Sequence, residues 1–159
     1  MNALCAEYKK AGIATELRQT RSENPDTAGS ARQTLQSTIG EEAAFVVGDD
    51  AFAAAPGPIT PDHIVYAKSW PYTGPLTRDG LVEFKKRRGY WPKIVITEAG
   101  VFAVGNTRGK AELALELAKD GALVIQLTEA FGGVQFLVDA EREFIENWEV
   151  ESYRQQQMK

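Results

Sequence analysis

The chain has 159 residues, 43% of them hydrophobic and 25% charged, with a net charge of −4. That length suits one domain of ordinary size, and the apolar fraction is enough to fill a core, which excludes a disordered or fibrous chain. The acidic balance excludes the global basic field that drives nucleic-acid binding, so no nucleic-acid partner is expected. No stretch approaches the roughly 20 apolar residues of a membrane span, so no membrane partner is expected either. Glu7, Lys9 and Lys10 stand where an export signal needs an apolar core. Cys5 is the single cysteine, so no internal disulfide is possible. Together these features point to the cytoplasm.

Residues 2–11 read as a short helix on which Leu4, Tyr8 and Ala11 share a face. Ser22 to Ser30 is polar and contains Asn24-Pro25-Asp26, a loop signal, and Ala31 to Ile39 is weakly helical. The apolar run Ala43-Ala44-Phe45-Val46-Val47, ended by Gly48-Asp49-Asp50, is a strand or a buried helix end. The organisation is therefore a weakly patterned N-terminal helical segment, 1–40, and an α/β C-terminal domain, 41–159, with Pro56-Gly57-Pro58 as a loop. Ile64-Val65-Tyr66 predicts a strand, and Trp70-Pro71 to Gly74-Pro75 breaks the chain again. Thr77 or Asp79 caps a helix ending in Lys85-Lys86-Arg87-Arg88, with Gly89 at its C-terminal stop.

Lys93 to Thr97 and Val101 to Val104 predict the two strands of a β-hairpin turning at Glu98-Ala99-Gly100. Thr107 then caps a long helix, with Ala111, Ala114, Leu115, Ala118, Ala122 and Ile125 on one stripe and Leu113, Leu117 and Val124 widening it. After Gly132-Gly133, Asp139 caps a last helix with Phe144, Ile145 and Trp148 on its apolar face. The fold class that follows is α/β, a mostly antiparallel sheet covered by helices.

The run Ile94-Val95-Ile96-Thr97-Glu98-Ala99-Gly100-Val101-Phe102-Ala103-Val104-Gly105-Asn106-Thr107, followed by a helix rich in Ala, Leu and Glu, resembles a motif of the class II aldolase/adducin family. There a strand ends in an Asn-His-Gly or similar turn, and a second strand, a small-residue turn with Thr and a helix follow. The turn histidine is a ligand of the catalytic divalent metal, and the matching position here is Ala99. Thr60-Pro61-Asp62-His63-Ile64-Val65-Tyr66, Ala130-Phe131-Gly132-Gly133 and the run from Phe144 to Arg154 are similar to the later part of long members of the family. Some of those are fused to a short-chain dehydrogenase and act on rhamnulose phosphate. The resemblance implies a class II aldolase-like, three-layer fold and a C-terminal domain whose zinc-like metal is held by histidines in an upstream half. It also implies a sugar phosphate substrate, a homo-oligomer, and no metal ligand or cofactor in this chain itself. The parent activity would be a lyase, in which the metal polarises the carbonyl and stabilises the enediolate.

Candidate site residues are few. His63 is the only histidine, so a complete triad or a Cys/His zinc site cannot be built from this chain. It can serve as an acid/base group or metal ligand facing the upstream half, with Asp62 orienting the ring. The plainer reading is a histidine at a loop–strand junction, satisfied by backbone. Glu98, beside the lost histidine, can act as a carboxylate base or be simply solvated. Arg87 and Arg88 can hold a sugar phosphate through their fork of donors, or be the solvated end of a helix. Gly132-Gly133 can bring amides to an anion, although no dinucleotide or P-loop context surrounds it. Glu149 with Tyr153, and Glu151 with Arg154, make surface pairs on the last helix, and Trp148 serves as a packing anchor. Two rival functions remain open: a non-catalytic, adducin-like interaction or oligomerisation module, and an independent small-molecule-binding domain using the Gly132-Gly133 loop.

Overall fold

The element that departs furthest from the sequence reading comes early. In the computed structural model, which describes residues 3–21 and 25–148, helix α1 (Ala3–Lys10) is followed by helix α2 (Pro25–Ile39). The polar stretch read as a loop thus contains the first turns of α2. Proline at the first helical position has its φ preset and loses no hydrogen bond, and Asp26 in the first turn suits the helix dipole. Ala31, Leu35 and Ile39, four residues apart, are buried on one face, and that burial stabilises a helix of weak propensity. The pairs involving Glu149, Glu151, Tyr153 and Arg154 lie outside the described residues.

Strand β1 (Phe45–Asp49) settles the Phe45-Val46-Val47 run as a strand. Pro61–Ala67 is helix α3, which overturns the strand reading of Ile64-Val65-Tyr66. Thr60 is extended, its hydroxyl accepts the His63 N–H, and Pro61 follows at the start of the helix. Capping and proline preorganisation outweigh three β-forming residues, because a helix places His63, Ile64 and Ala67 together on a buried face. Helix α4 (Arg78–Arg88) matches its reading, with Thr77 as the cap and Gly89 left-handed at its end.

Strands β2 (Ile94–Thr97) and β3 (Gly100–Gly105) form the expected hairpin. β1 pairs antiparallel on the other side of β3, from Phe45 opposite Gly105 to Asp49 opposite Val101, so the sheet order is β1-β3-β2. Thr107 caps helix α5 (Arg108–Thr128), and the expected stripe is buried from Ala111 to Ala122.

Helix α6 (Asp139–Glu146) starts differently from its reading. Asp139 is its first residue and not its cap, and the Glu141 carboxylate accepts the Val138 N–H at 3.1 Å. Its expected apolar face is not buried: Phe144 is 67% and Trp148 43% exposed, the two rings stacking on each other with centroids 6.0 Å apart. The helix is held instead by polar groups. Ser69 donates to the Glu146 carboxylate, and Arg142 donates to the same carboxylate at 2.7 Å while its guanidinium lies 5.8 Å from the centre of the Trp70 ring.

The core lies on both faces of the sheet. On one side Val95, Phe102 and Val104 pack with Leu35 of α2 and with Leu81 and Phe84 of α4. On the other, Ile94, Val101 and Ala103 pack with Ala114, Leu115 and Ala118 of α5. Successive residues of β3 thus feed opposite cores, which explains an unbroken apolar run in an antiparallel strand. Residues on either side of position 40 share one hydrophobic cluster, since Leu35 and Ile39 lie with Leu81 and Phe102.

Candidate functional site

The β2–β3 turn is a tight construction. Thr97 Oγ1 accepts the Ala99 N–H at 3.1 Å and donates to the Gly100 carbonyl at 3.1 Å. Gly100 has φ of 134°, and a Cβ there would overlap the backbone carbonyl oxygen of Asp49 on β1. Glycine is required on both counts. Ala99 is 7% exposed and belongs to the core, while Glu98 beside it is exposed.

This turn forms one wall of an open cleft of about 730 Å³. The opposite wall is α2, through Thr27, Ser30 and Thr34, and the loop from Thr73 to Leu76 closes one side. No lysine, arginine or histidine lines it among the described residues. The hydroxyls of α2 were missed in the sequence, though a signal was there. Residues 27, 30 and 34 are spaced three and four apart, one face of a helix, but only once the segment is known to be helical.

His63 lies elsewhere. It is 9% exposed and sits in α3 against α5, on the sheet face opposite to α2. Its Nδ1 is 2.7 Å from Thr60 Oγ1, and Nε2 has no hydrogen-bond partner and lies 3.9 Å from Asp120 Oδ2. Gly121 of α5 faces the ring, and a Cβ there would stand 3.4 Å from Nε2, in ordinary contact. The neighbouring cavity is about 40 Å³, room for little more than a water molecule. Thr60, and not Asp62, contacts the ring, and Asp62 is exposed.

Arg87 and Arg88 are exposed at the end of α4 and do not line the cleft. Arg88 stacks its guanidinium over Trp70 at 4.6 Å, and Lys85 lies over Trp91 at 4.5 Å. Nearby, burial of the Tyr90 hydroxyl pushes its pKa up to about 12, with the Glu146 carboxylate adding to the shift. Gly132 and Gly133 both have φ near +95°, and the Gly133 N–H bonds back to the Thr128 carbonyl at 2.9 Å, so the pair terminates α5. The structure therefore brings Glu98 to a cleft and keeps His63, Arg87 and Arg88 apart from it.

Known protein families, characterised proteins and solved structures offer no match to this chain. At the turn that resembles a metal-binding one, the residues present do not fit a metal. Ala99 offers a methyl group, and its N–H is already bonded to Thr97. Among the described residues no three His, Cys, Asp or Glu side chains gather into a site. No helix among them is long and apolar enough to cross a membrane.

Proposed function

We propose that this chain is the C-terminal domain of a cytoplasmic class II aldolase-like enzyme acting on a sugar phosphate, inactive alone because the metal-ligand histidines belong to an upstream half. The observation that carries this reading is the hairpin turn Thr97-Glu98-Ala99-Gly100. It stands where the resembling motif has its metal-binding turn, and it opens on a cleft large enough for a sugar. The layering of helices on both faces of an antiparallel sheet supports a class II aldolase-like fold. In this reading the domain supplies a wall of the site through Glu98, Thr27 and Ser30, while His63 is a packing residue between α3 and α5. The exposed Phe144 and Trp148 suit contact with the upstream half or another subunit.

Ala99 favours a second reading, an adducin-like module that has lost its chemistry. Elemental analysis and a sugar-phosphate cleavage assay separate the two. Both are applied to this chain and to the product of the complete reading frame that contains it. The enzyme reading expects neither metal nor cleavage from this chain and both from the complete product, with histidine-rich sequence upstream. A complete product that binds no metal and cleaves nothing establishes the module instead.

A further inference from the structure

The backbone at Lys68 is unusual. It ends α3 with φ of 65° and ψ of 162°, and it is the one residue other than glycine with positive φ among the described residues. Side chains resist that region, and glycine would occupy it without strain. The lysine therefore contributes through its side chain and not its backbone. Its Nζ lies 5.5 Å from the centre of the Tyr90 ring and close enough to Lys93 to oppose its charge. Lys110, in the first turn of α5, adds a second cation beside the same group. Neither Lys68 nor Lys110 has an ion-pair partner among the described residues. Lys93 sits just before β2 with its side chain 22% exposed, and its Nζ is 3.7 Å from the carboxylate of Glu42, in the short turn before β1. Burial holds the Lys93 pKa below the usual 10.5; Glu42 opposes that shift, and Lys68 and Lys110 reinforce it. The cluster thus combines an amine that deprotonates more readily than an exposed lysine, a carboxylate placed to take its proton, and two unpaired cations.

We propose that Lys93 is a site of acylation by acyl phosphates, with Lys68 and Lys110 drawing in the phosphate and Glu42 taking the proton. The Nζ lone pair attacks the acyl carbon, a C–N bond forms, and the C–O bond to phosphate breaks. Phosphate leaves with the bonding pair, and the proton lost by the nitrogen passes through Glu42 to it. The products are an amide and inorganic phosphate, so no oxidant or reductant is required. Two features select the donor. A neutral amine attacks an electrophilic carbonyl carbon, and two unpaired cations favour a donor whose leaving group is a compact dianion. An acyl phosphate joins the two in one small molecule. The amide carries no charge, so acylation also removes the ion pair between Lys93 and Glu42. None of this depends on the aldolase-like reading.

The test treats the whole chain with limiting acetyl phosphate and follows acetylation of each lysine by peptide mass mapping. The neutral N-hydroxysuccinimide ester of acetic acid is the comparison donor. Lys85 and Lys86 are internal controls, since both are exposed and neither has an ion-pair partner among the described residues. With acetyl phosphate, Lys93 is expected to react about three- to tenfold faster than either control, and about 0.2 M salt should narrow that margin. Exposure alone would rank Lys93 behind them. With the neutral ester the margin should be smaller and indifferent to salt. Lys68→Gly relieves the strained backbone, so it should keep the unfolding temperature, and it should cut the Lys93 rate with acetyl phosphate about threefold or more. Lys110→Met should act in the same direction. The proposal is overturned if Lys93 reacts no faster than Lys85 and Lys86 with acetyl phosphate, or if the neutral ester gives the same margin. It is overturned equally if neither variant slows Lys93 while both remain folded by circular dichroism.

Discussion

Gly100 holds the turn on which the candidate site rests, and it does so for two physical reasons. Its φ of 134° lies in a region that a side chain resists, and its Cα faces the Asp49 carbonyl at the end of β1. Gly100→Ala should therefore cost about 3 kcal/mol or more, as backbone strain and steric overlap add. Chemical denaturation would measure it, and a loss under about 1 kcal/mol would show that the turn relaxes easily. The sequence shows a glycine in a turn but not the strand behind it. Gly48 has a comparable role, since a Cβ there would collide with the Phe102 ring from the neighbouring strand. At this scale Glu98 was legible as a turn carboxylate, while the hydroxyls of Ser30 and Thr34 are spent on carbonyls of α2.

Elements were legible where local signals agreed. Thr77 and Gly89 bracket α4, and Thr107 opens α5, so caps and periodicity pointed the same way. α3 was misread because Ile64-Val65-Tyr66 is too short a run for periodicity to decide, and the cap at Thr60 outweighed β propensity. The tie between β1 and α5 is equally non-local: Lys119 Nζ lies 2.6 Å from Asp49 Oδ2, with both side chains under a third exposed. The hydrogen bond from Lys119 holds the Asp49 pKa below its usual 3.8, and the same bond holds the Lys119 pKa above its usual 10.5. Asp49 has its pKa depressed on folding, so its contribution is full above pH 3.8 and is lost as pH falls through the folded value. Lys119 has its pKa raised, so its contribution is full below pH 10.5 and is lost as pH rises through the folded value. A double-mutant cycle with Asp49→Asn and Lys119→Met should give a coupling of about 0.5–1 kcal/mol at neutral pH, vanishing in strong acid. A coupling unchanged by acid would mean that the pair acts through packing and not charge.

The three layers unite segments distant in sequence. α2, which belongs to the weakly patterned first forty residues, covers one face of the sheet with Leu35 fully buried. Leu35→Ala should cost about 2–5 kcal/mol and lower a single unfolding transition. A variant that unfolds in two steps, with the sheet surviving, would mean that α2 is an appendage. The segment from Ala14 to Arg18 is tied to the domain as well. Gln126 on α5 is buried, accepts the Arg18 N–H at 2.9 Å and donates to the carbonyls of Ala14 and Glu16 at 2.9 and 2.8 Å. At this scale too, His63 and Glu98 lie beside different cavities, Glu98 on the cleft with α2 and His63 between α3 and α5 on the other face of the sheet.

The sequence by itself determined the α/β class, the hairpin, the helix α4 with both its ends, the start and buried stripe of α5, and the acidic glutamate in a tight turn. These depend on interactions between residues a few positions apart, where caps, glycine stops and apolar spacing act directly. Only the tertiary structure decided that Thr60-Pro61 begins a helix, that the polar stretch after residue 24 is helical, and that β1 closes the sheet behind Gly100. It also decided that Glu98 and the hydroxyls of α2 line one cleft. Those outcomes depend on burial against partners tens of residues away, and no local pattern carries that free energy.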